Sequence, residues 1–276
     1  MENIFDNSKS LLRNMIDILI IASEKILEIY NGTYDVRLKD DASPLTTADI
    51  ASNAIITKRL RDVYPQCDIL SEEDEDSATR LDNKNGVFIL DPLDGTKEFI
   101  NRNGEFCVSL GFALDNRIVA GVITVPTQGL VYYAAEGMGS FKTTFDKARD
   151  LSLSEQIHVS DRTDSVIVAV SRSHFDSQTA KILQKNQHRI IDTVAVGSCL
   201  KGCYIAEGLA DVHYRYGDGT KEWDTAAMEI ICREAGASFT DLEGRPLLAN
   251  RKDPVNRRGF LILNHPLSAL DTHGIE

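Results

Sequence analysis

The chain has 276 residues, of which 42% are hydrophobic and 26% are charged, and this globular composition excludes collagen, a coiled coil and disorder as descriptions of the whole chain. Its 30 basic and 42 acidic residues give a net charge of −12, so the chain lacks the basic footprint of a nucleic-acid-binding protein. An anionic substrate would therefore need local positive charge, from metal ions or from a basic pocket.

Neither the first residues nor the apolar content indicates membrane targeting. The N-terminal residues lack a basic region followed by an apolar run, and the most apolar stretch, 18–22, is far shorter than the ~20 residues of a membrane span. The five cysteines, an odd number without CxxC spacing, indicate free thiols in a reducing compartment. We expect a cytoplasmic protein and leave open a peripheral association with the inner face of the cell membrane.

The N-terminal half predicts two helices followed by a meander of strands. Apolar residues at helical spacing predict an amphipathic helix over 11–30. A second helix is predicted over 47–63, with Thr46 or Thr47 as its N-cap and Asp49 in its first turn. Strands are predicted over 67–70, 86–90, 107–114, 118–125 and 130–135. The turn-rich and then polar segment 137–150 is interpreted as a domain boundary, which makes residues 1–150 an α+β domain.

The C-terminal half alternates strands and helices. Strands are predicted over 165–170, 190–196, 211–216, 237–240 and 259–263. Helices are predicted over 177–185, 200–209 and 224–235. Because such alternation is typical of an α/β layer, residues 151–276 are predicted to form an α/β domain.

The segment 91–96, with the sequence DPLDGT, is the clearest candidate for chemistry. It follows an apolar strand, and the ends of strands are where α/β proteins place ligands. Its two carboxylates, Asp91 and Asp94, would repel each other unless one is protonated or a cation bridges them. Such hard oxygen ligands suit Mg²⁺, and the Leu93 carbonyl could supply a further one. The alternative is a helix-capping turn in which Asp94 caps the next helix.

Three more acidic positions extend this pattern. Glu72 and Glu73 directly follow a strand, whereas Glu75 and Asp76 are interpreted as a solvated loop. Asp224 precedes a run of small residues and is predicted to be a helix N-cap, a role that leaves one carboxylate oxygen for a metal.

Five segments, taken in order, resemble one enzyme family. They are SPLTTAD at 43–49, LSEED at 70–74, the stretch 91–106, SRSH at 171–174 and EWDTAA at 222–227. Together they are similar to the inositol monophosphatase superfamily of lithium-sensitive, Mg²⁺-dependent phosphatases. Within that superfamily they resemble the CysQ-type 3'(2'),5'-bisphosphate nucleotidases, over residues 43–259.

The resemblance implies a fold and a metal site. The implied fold class is α/β, with an α+β N-terminal part and an α/β C-terminal part stacked as a layered α/β/α/β/α sandwich. It also implies two or three Mg²⁺ per active site and an attacking water that is positioned and deprotonated by Asp49 and Thr96. The implied metal ligands are Glu72, Asp91, the carbonyl of Leu93, Asp94 and Asp224.

Substrate contacts are implied by the same resemblance. The implied substrate-binding residues are Gly95, Thr96, His174, Ser198, Lys201 and Arg215. Lys201 and Arg215 would supply the local positive charge that an acidic chain needs around an anion. The alternative for Lys201 is an exposed helical lysine, and the alternative for His174 is a loop or core histidine.

The resemblance implies a Mg²⁺-dependent enzyme that removes the 3'-phosphate of adenosine 3',5'-bisphosphate, giving AMP and phosphate. By resemblance it would also act on 3'-phosphoadenylyl sulfate and serve sulfate assimilation. The alternatives are an inositol-1-monophosphatase and a non-catalytic metal- or nucleotide-binding protein. The expected partner is a small nucleotide bisphosphate, with no nucleic acid and no integral membrane segment, and a homodimer is left open.

Two cysteines one helical turn apart, Cys199 and Cys203, are interpreted as small buried hydrophobic residues. A zinc site there would need two further ligands, and the sequence indicates none nearby.

Overall fold

The structure is a computed structural model that describes residues 8–39, 43–173 and 175–275. Its largest element is a seven-stranded sheet with strands in the order β3-β4-β5-β6-β7-β8-β9. These strands are β3 (Asp68–Ser71), β4 (Val87–Asp94), β5 (Cys107–Leu114), β6 (Arg117–Val125), β7 (Leu130–Ala135), β8 (Gly139–Thr144) and β9 (Glu155–Ile157). Strands β3 and β4 are parallel and the remaining pairs are antiparallel, with short turns joining β5 to β6, β6 to β7 and β7 to β8.

A second sheet of five strands has the order β11-β10-β12-β14-β13. These strands are β10 (Val166–Ser171), β11 (Ile190–Val196), β12 (Val212–Arg215), β13 (Ser238–Thr240) and β14 (Phe260–Leu263). Strand β10 is parallel to both β11 and β12, which follows from the helical crossovers between them, and β14 is antiparallel to its two neighbours.

Six helices and a small hairpin complete the described fold. The helices are α1 (Ser8–Tyr30), α2 (Thr47–Val63), α3 (Thr96–Ile100), α4 (Ser177–Lys185), α5 (Leu200–Ala206) and α6 (Glu222–Glu234). The hairpin pairs β1 (Val36–Leu38) with β2 (Pro44–Thr46). Within the described residues, no helix combines the length and the apolar character needed to cross a bilayer.

The layers follow from alternating side chains on the seven-stranded sheet. Phe88 and Leu90 of β4 pack in one core with α1 and α2, while Ile89 points to the other face and packs in a core with α5 and α6. That second core also includes Ala169 and Phe260 of the five-stranded sheet, whose opposite face packs against α4. The predicted layered α/β/α/β/α sandwich is therefore confirmed.

Helix α6 lies close to the larger sheet because β6 has a glycine beneath it. A Cβ atom at Gly121 would lie 2.9 Å from the Cα of Ala227 and 2.5 Å from Cγ2 of Ile230. The first turn of α6 carries Asp224, so this close packing fixes the height of that carboxylate above the sheet.

The structure adds one strand to the sequence prediction and corrects one helix cap. Residues 139–144, inside the turn-rich segment 137–150, pair along β7 as β8, and the chain passes to the second sheet between β9 and β10. Asp224 is not the N-cap of α6: Lys221 is, and Asp224 is the third helical residue, whose Oδ2 accepts a 2.6 Å hydrogen bond from the Lys221 backbone N–H. The division into two domains at residue 150 stays a prediction.

Candidate active site

Residues from β4, α3, α5, β12 and α6 line one cavity of about 380 Å³. Ten of the residues singled out in the sequence lie on its wall: Glu72, Asp91, Leu93, Asp94, Gly95, Thr96, Ser198, Lys201, Arg215 and Asp224. Asp49 stands behind Thr96, to which it is hydrogen-bonded. His174 lies outside the described residues.

The end of β4 delivers two of the carboxylates. The pairing of β4 with β5 is irregular between Asp91 and Asp94, so the chain bends where the segment DPLDGT begins. The Leu93 N–H donates to Oδ1 of Asp91 at 3.0 Å, and the Ser52 hydroxyl on α2 donates to the Pro92 carbonyl at 2.7 Å. These contacts hold the turn against the sheet and aim both carboxylates into the cavity.

Asp224 comes from α6 and completes a group of three carboxylates. One oxygen from each of Asp91, Asp94 and Asp224 lies within 4.8 Å of the others. Burial, together with repulsion from neighbouring carboxylates, raises the pKa of Asp91 well above its ordinary value. Burial likewise raises the pKa of Asp94 to about 6 and that of Asp224 to about 8.

This donor set fits a hard divalent cation. Three acidic groups that face each other out of water are unfavourable when ionised, and a cation between them removes the repulsion and restores their charged form. The donors are all oxygen atoms, as Mg²⁺ prefers. The residues present therefore fit the metal that the family resemblance implies.

Glu72 is held by a lysine that the sequence analysis did not identify. Nζ of Lys39 lies 2.8 Å from Oε1 of Glu72 and 2.5 Å from Oε1 of Glu73. Burial alone lowers the pKa of Lys39, but the two carboxylates outweigh it and raise the pKa above its ordinary value. Burial also raises the pKa of Glu73 to about 7. Lys39 is 33 residues away along the chain from Glu72, so no local motif signals the pair.

The predicted catalytic pair forms a connected hydrogen-bond chain. The Thr96 hydroxyl donates to Oδ1 of Asp49 at 3.1 Å, and Oδ2 of Asp49 accepts from the backbone N–H and hydroxyl of Thr46 at 2.7 and 2.5 Å. Burial raises the pKa of Asp49, although its hydrogen bonds to Thr46 and Thr96 lower it. The carboxylate is thus fixed on one side and can accept a proton through Thr96 on the other.

A glycine places Thr96 at the cavity. Gly95 precedes α3 with a φ of 97°, a conformation that disfavours side chains. A Cβ there would lie 3.1 Å from the Glu105 carbonyl oxygen and 3.3 Å from Cβ of Ser198, so the chain passes closely between two loops.

Lys201 is a buried cation rather than an exposed helical lysine. It is only 9% exposed, and its Nζ donates to the carbonyl oxygens of Ser198 and, at 3.5 Å, Val196. Burial lowers the pKa of Lys201, whereas the charge of Asp94 raises it. The alternative of a solvated lysine is therefore wrong.

Arg215 ends β12 on the same cavity wall. A Cβ atom at Gly219, which also lines the cavity, would lie 2.5 Å from Nη2 of Arg215. The missing side chain at Gly219 leaves the space that the guanidinium occupies. Lys201 and Arg215 thus place two basic groups on the cavity wall of an acidic protein.

A buried histidine also lines the cavity and carries no signal in the sequence. Nδ1 of His213 lies 2.9 Å from the Ala169 carbonyl oxygen, an arrangement that makes Nδ1 the protonated nitrogen. Its Nε2 is buried and has no hydrogen-bond partner among the described residues. Burial lowers the pKa of His213 to about 3, so the ring is neutral. His213 has no partner histidine or cysteine at the sequence spacing of a metal site, so the sequence alone indicates no role for it.

Comparison with known proteins identifies the family of this chain. Residues 8–269 match the model of the inositol monophosphatase family. The chain belongs to the inositol monophosphatase family. It is 37% identical over 244 residues to the 3'(2'),5'-bisphosphate nucleotidase CysQ of Escherichia coli K12, which covers 87% of this chain and 94% of the relative. The family and its curated CysQ members make the chain a phosphatase.

Two solved structures support the same assignment. CysQ from Bacteroides thetaiotaomicron, a bacterial member of the inositol monophosphatase family, superposes with a TM-score of 0.79 at 33% identity, covering 94% of this chain and 98% of that one. The extragenic suppressor protein SuhB from Bartonella henselae superposes with a TM-score of 0.78 at 26% identity, covering 93% and 94%.

Proposed function

We propose that the chain is a Mg²⁺-dependent 3'(2'),5'-bisphosphate nucleotidase that hydrolyses adenosine 3',5'-bisphosphate to AMP and phosphate, and that it also acts on 3'-phosphoadenylyl sulfate in sulfate assimilation. One observation carries the proposal: a single cavity is lined both by three clustered carboxylates and by the two basic residues Lys201 and Arg215. The CysQ relatives, which act on bisphosphate nucleotides by name, support the same substrate class.

The acidic side would hold Mg²⁺. Asp91, Asp94 and Asp224 are the central ligands, with Glu72 and the Leu93 carbonyl beside them. When bound, Mg²⁺ supplies charge stabilisation for the phosphoryl group and lowers the pKa of water. Glu72 forms an ion pair with Lys39. For Glu72 to bind Mg²⁺, Lys39 must either move away or share the carboxylate with the metal ion.

Thr96 and Asp49 would move the proton of the attacking water. Thr96 orients the attacking water, and as the water attacks phosphorus its proton passes to the Thr96 hydroxyl, which gives its own proton to Oδ1 of Asp49. Thr46 fixes Asp49 through two hydrogen bonds, which keeps the accepting oxygen aimed at Thr96. The phosphorus–oxygen bond to the 3' oxygen breaks, and that oxygen takes a proton from solvent.

The basic side would hold the phosphate that is not cleaved. Lys201 is fixed by two carbonyl oxygens and still has ammonium donor capacity, and the planar guanidinium of Arg215 can bind a phosphate through two hydrogen bonds. Ser198 has a φ of 48°, lies in the loop before α5 and lines the same cavity. An inositol monophosphate has no second phosphate to use this side, which favours the nucleotidase over an inositol-1-monophosphatase.

A substrate panel tests the proposal. Phosphate release is measured with Mg²⁺ for adenosine 3',5'-bisphosphate, 3'-phosphoadenylyl sulfate, 3'-AMP and inositol 1-phosphate. We expect kcat/KM for the bisphosphate to exceed that for 3'-AMP, the matched control without the 5'-phosphate, by about ten- to a hundredfold. Equal values for bisphosphate and 3'-AMP would contradict a second-phosphate site. A preference for inositol 1-phosphate would support the alternative enzyme.

A further inference from the structure

A pair of thiols lies against the acidic cluster and has no part in the proposed phosphatase chemistry. Sγ of Cys107 is 2.8 Å from Sγ of Cys199 and 3.9 Å from Oδ2 of Asp94. One ligand atom from each of these three residues lies within 4.8 Å of the others. The sequence expectation that Cys199 has no further metal ligands nearby is therefore wrong.

The backbone holds these three residues in place. Cys107 begins β5 and pairs in register with Asp94 of β4, and the Cys199 backbone N–H donates to Oδ2 of Asp94 at 2.6 Å. The hydroxyl of Ser198 lies 2.8 Å from Sγ of Cys107. Three chain segments that are distant in sequence thus converge on two sulfur atoms and one carboxylate.

We propose that Asp94, Cys107 and Cys199 form a second cation site, selective for a thiophilic divalent cation such as Zn²⁺ or Cd²⁺. Three protein ligands with one open position are a common zinc arrangement, and thiolates select such metals over Mg²⁺. The site is separate from the three-carboxylate group in its sulfur donors but shares Asp94 with it. The inference does not depend on which phosphate ester is the substrate.

The geometry requires only a small change. Two thiolates on one tetrahedral zinc, each about 2.3 Å from it, are about 3.8 Å apart, so the sulfur atoms would separate by about 1 Å. Asp91 and Asp224 lie close to Asp94 and attract the cation, whereas the charge of Lys201, which also acts on Asp94 and the two cysteines, opposes it. The two thiol protons are released when the cation binds.

The two sulfur atoms are buried beside the cavity. Cys107 and Cys199 are 0% and 2% exposed, and Cys199 lies on the cavity wall. A cation would therefore reach them through the cavity rather than from the protein surface.

The shared carboxylate predicts a consequence for the enzyme. Asp94 belongs to both groups, so a thiophilic cation on the cysteines competes with the carboxylate group for this residue. We expect Zn²⁺ to inhibit the phosphatase even when Mg²⁺ is saturating.

Cadmium binding to the reduced full-length protein tests the site without any substrate. Titration with CdCl₂ under a phosphine reductant is followed by the ultraviolet cadmium–thiolate charge-transfer absorption and by calorimetry. We expect one equivalent to bind with this absorption in the wild type. Cys107→Ser and Cys199→Ser, which preserve side-chain size, should lose most of it and bind at least tenfold more weakly. Cys203→Ser, one helical turn along α5, should bind as the wild type does.

Zinc inhibition provides the second measurement. At saturating Mg²⁺, the Zn²⁺ concentration for half inhibition should rise at least tenfold in Cys107→Ser and stay unchanged in Cys203→Ser. The proposal is overturned if the wild type shows no thiolate absorption with Cd²⁺, or if Cys107→Ser retains it. Unchanged zinc inhibition in Cys107→Ser would place the inhibitory ion on the carboxylates alone. Thiolate absorption in a protein that fails the substrate panel would separate this site from the proposed function.

Discussion

Asp91 is a buried carboxyl group that lies close to other carboxyl groups. These neighbours determine how the substitution of Asp91 should change stability and activity. The Leu93 N–H donates to its Oδ1, a contact that the side-chain oxygen of asparagine can also accept. Asp91→Asn should therefore fold. Without metal it should be at least as stable as the wild type, because the substitution removes a repelling group. Phosphate release with Mg²⁺ should fall at least about a hundredfold, since a central metal ligand is worth several kcal/mol.

Thermal unfolding with and without Mg²⁺ separates a metal role from a structural one. Mg²⁺ should raise the midpoint of the wild type but not that of Asp91→Asn. Glu75→Gln is the matched control because it removes one negative charge at an exposed position of the acidic segment 72–76, and it should keep both activity and the Mg²⁺ response. Near-wild-type kcat in Asp91→Asn would show that the metal assignment is wrong.

Arg215 is proposed to hold the uncleaved phosphate, a contact made in both ground and transition states. Arg215→Ala should therefore raise KM for adenosine 3',5'-bisphosphate about ten- to a hundredfold with a smaller change in kcat. Slow hydrolysis of inositol 1-phosphate should hardly change. Arg61→Ala, which removes one positive charge from an exposed position on α2, controls for the change in net charge.

Gly219→Ala tests the same contact without removing the arginine. The new methyl group would lie 2.5 Å from Nη2, at the end of a flexible side chain, so the guanidinium moves at little cost in stability. KM for the bisphosphate should rise while the unfolding midpoint stays within a few degrees. If both variants weaken bisphosphate and inositol phosphate equally, Arg215 holds the scissile phosphate or is structural.

At the scale of elements, the contact between α6 and β6 connects packing to the metal site. Gly121→Ala would place a methyl group 2.9 Å from Cα of Ala227, a backbone atom that cannot turn aside. We expect a loss of about 1–3 kcal/mol in the free energy of unfolding, as for other overpacked cores. The displacement of α6 should also raise the Mg²⁺ concentration needed for half-maximal activity, because its first turn carries Asp224.

Gly32→Ala is the matched control for this substitution. A Cβ at Gly32 would approach no described atom more closely than 3.4 Å, so its free energy of unfolding should change by less than about 1 kcal/mol. Denaturant titrations measure both variants. Gly121→Ala with unchanged stability would mean that α6 is not held by close packing on β6.

Local sequence patterns predicted the helices and strands well wherever apolar residues repeat with the spacing of one type of element. The helix over 47–63 and the strands over 107–114 and 130–135 have the predicted bounds. Strand β8 was missed because residues 139–144 are largely polar and half-buried, and their place is set by pairing with β7. Periodicity cannot reveal such a partner.

The candidate site shows the same limit at longer range. Motifs brought Asp91, Asp94 and Thr96 to attention because they are neighbours in sequence. Lys39 beside Glu72, and Cys107 beside Cys199, are joined only by the folded chain. Single residues at such distances carry no local signal, so only the three-dimensional arrangement identifies them.

At the scale of the whole molecule, the charge of −12 provides a way to separate general salt effects from binding at the site. Monovalent salts of equal concentration screen the protein field equally, so NaCl, KCl and LiCl should weaken cation attraction to the cavity to the same extent. The family resemblance implies in addition that Li⁺ competes at a site built for Mg²⁺, where a single charge cannot replace two. Phosphate release should therefore fall with LiCl well beyond its response to NaCl or KCl.

The dependence on Mg²⁺ sharpens this measurement. Each salt is titrated at limiting and at saturating Mg²⁺, with choline chloride as a bulky control for ionic strength. Added Mg²⁺ should relieve the loss of activity that comes from screening to the same extent for all salts. The extra loss of activity that only LiCl causes should instead depend on how much Mg²⁺ occupies the carboxylate group. Asp91→Asn, tested on its residual activity, should lose the difference between LiCl and NaCl. Identical curves for all salts in the wild type would mean that Li⁺ acts by screening alone and that the cavity lacks the ion site that the resemblance implies.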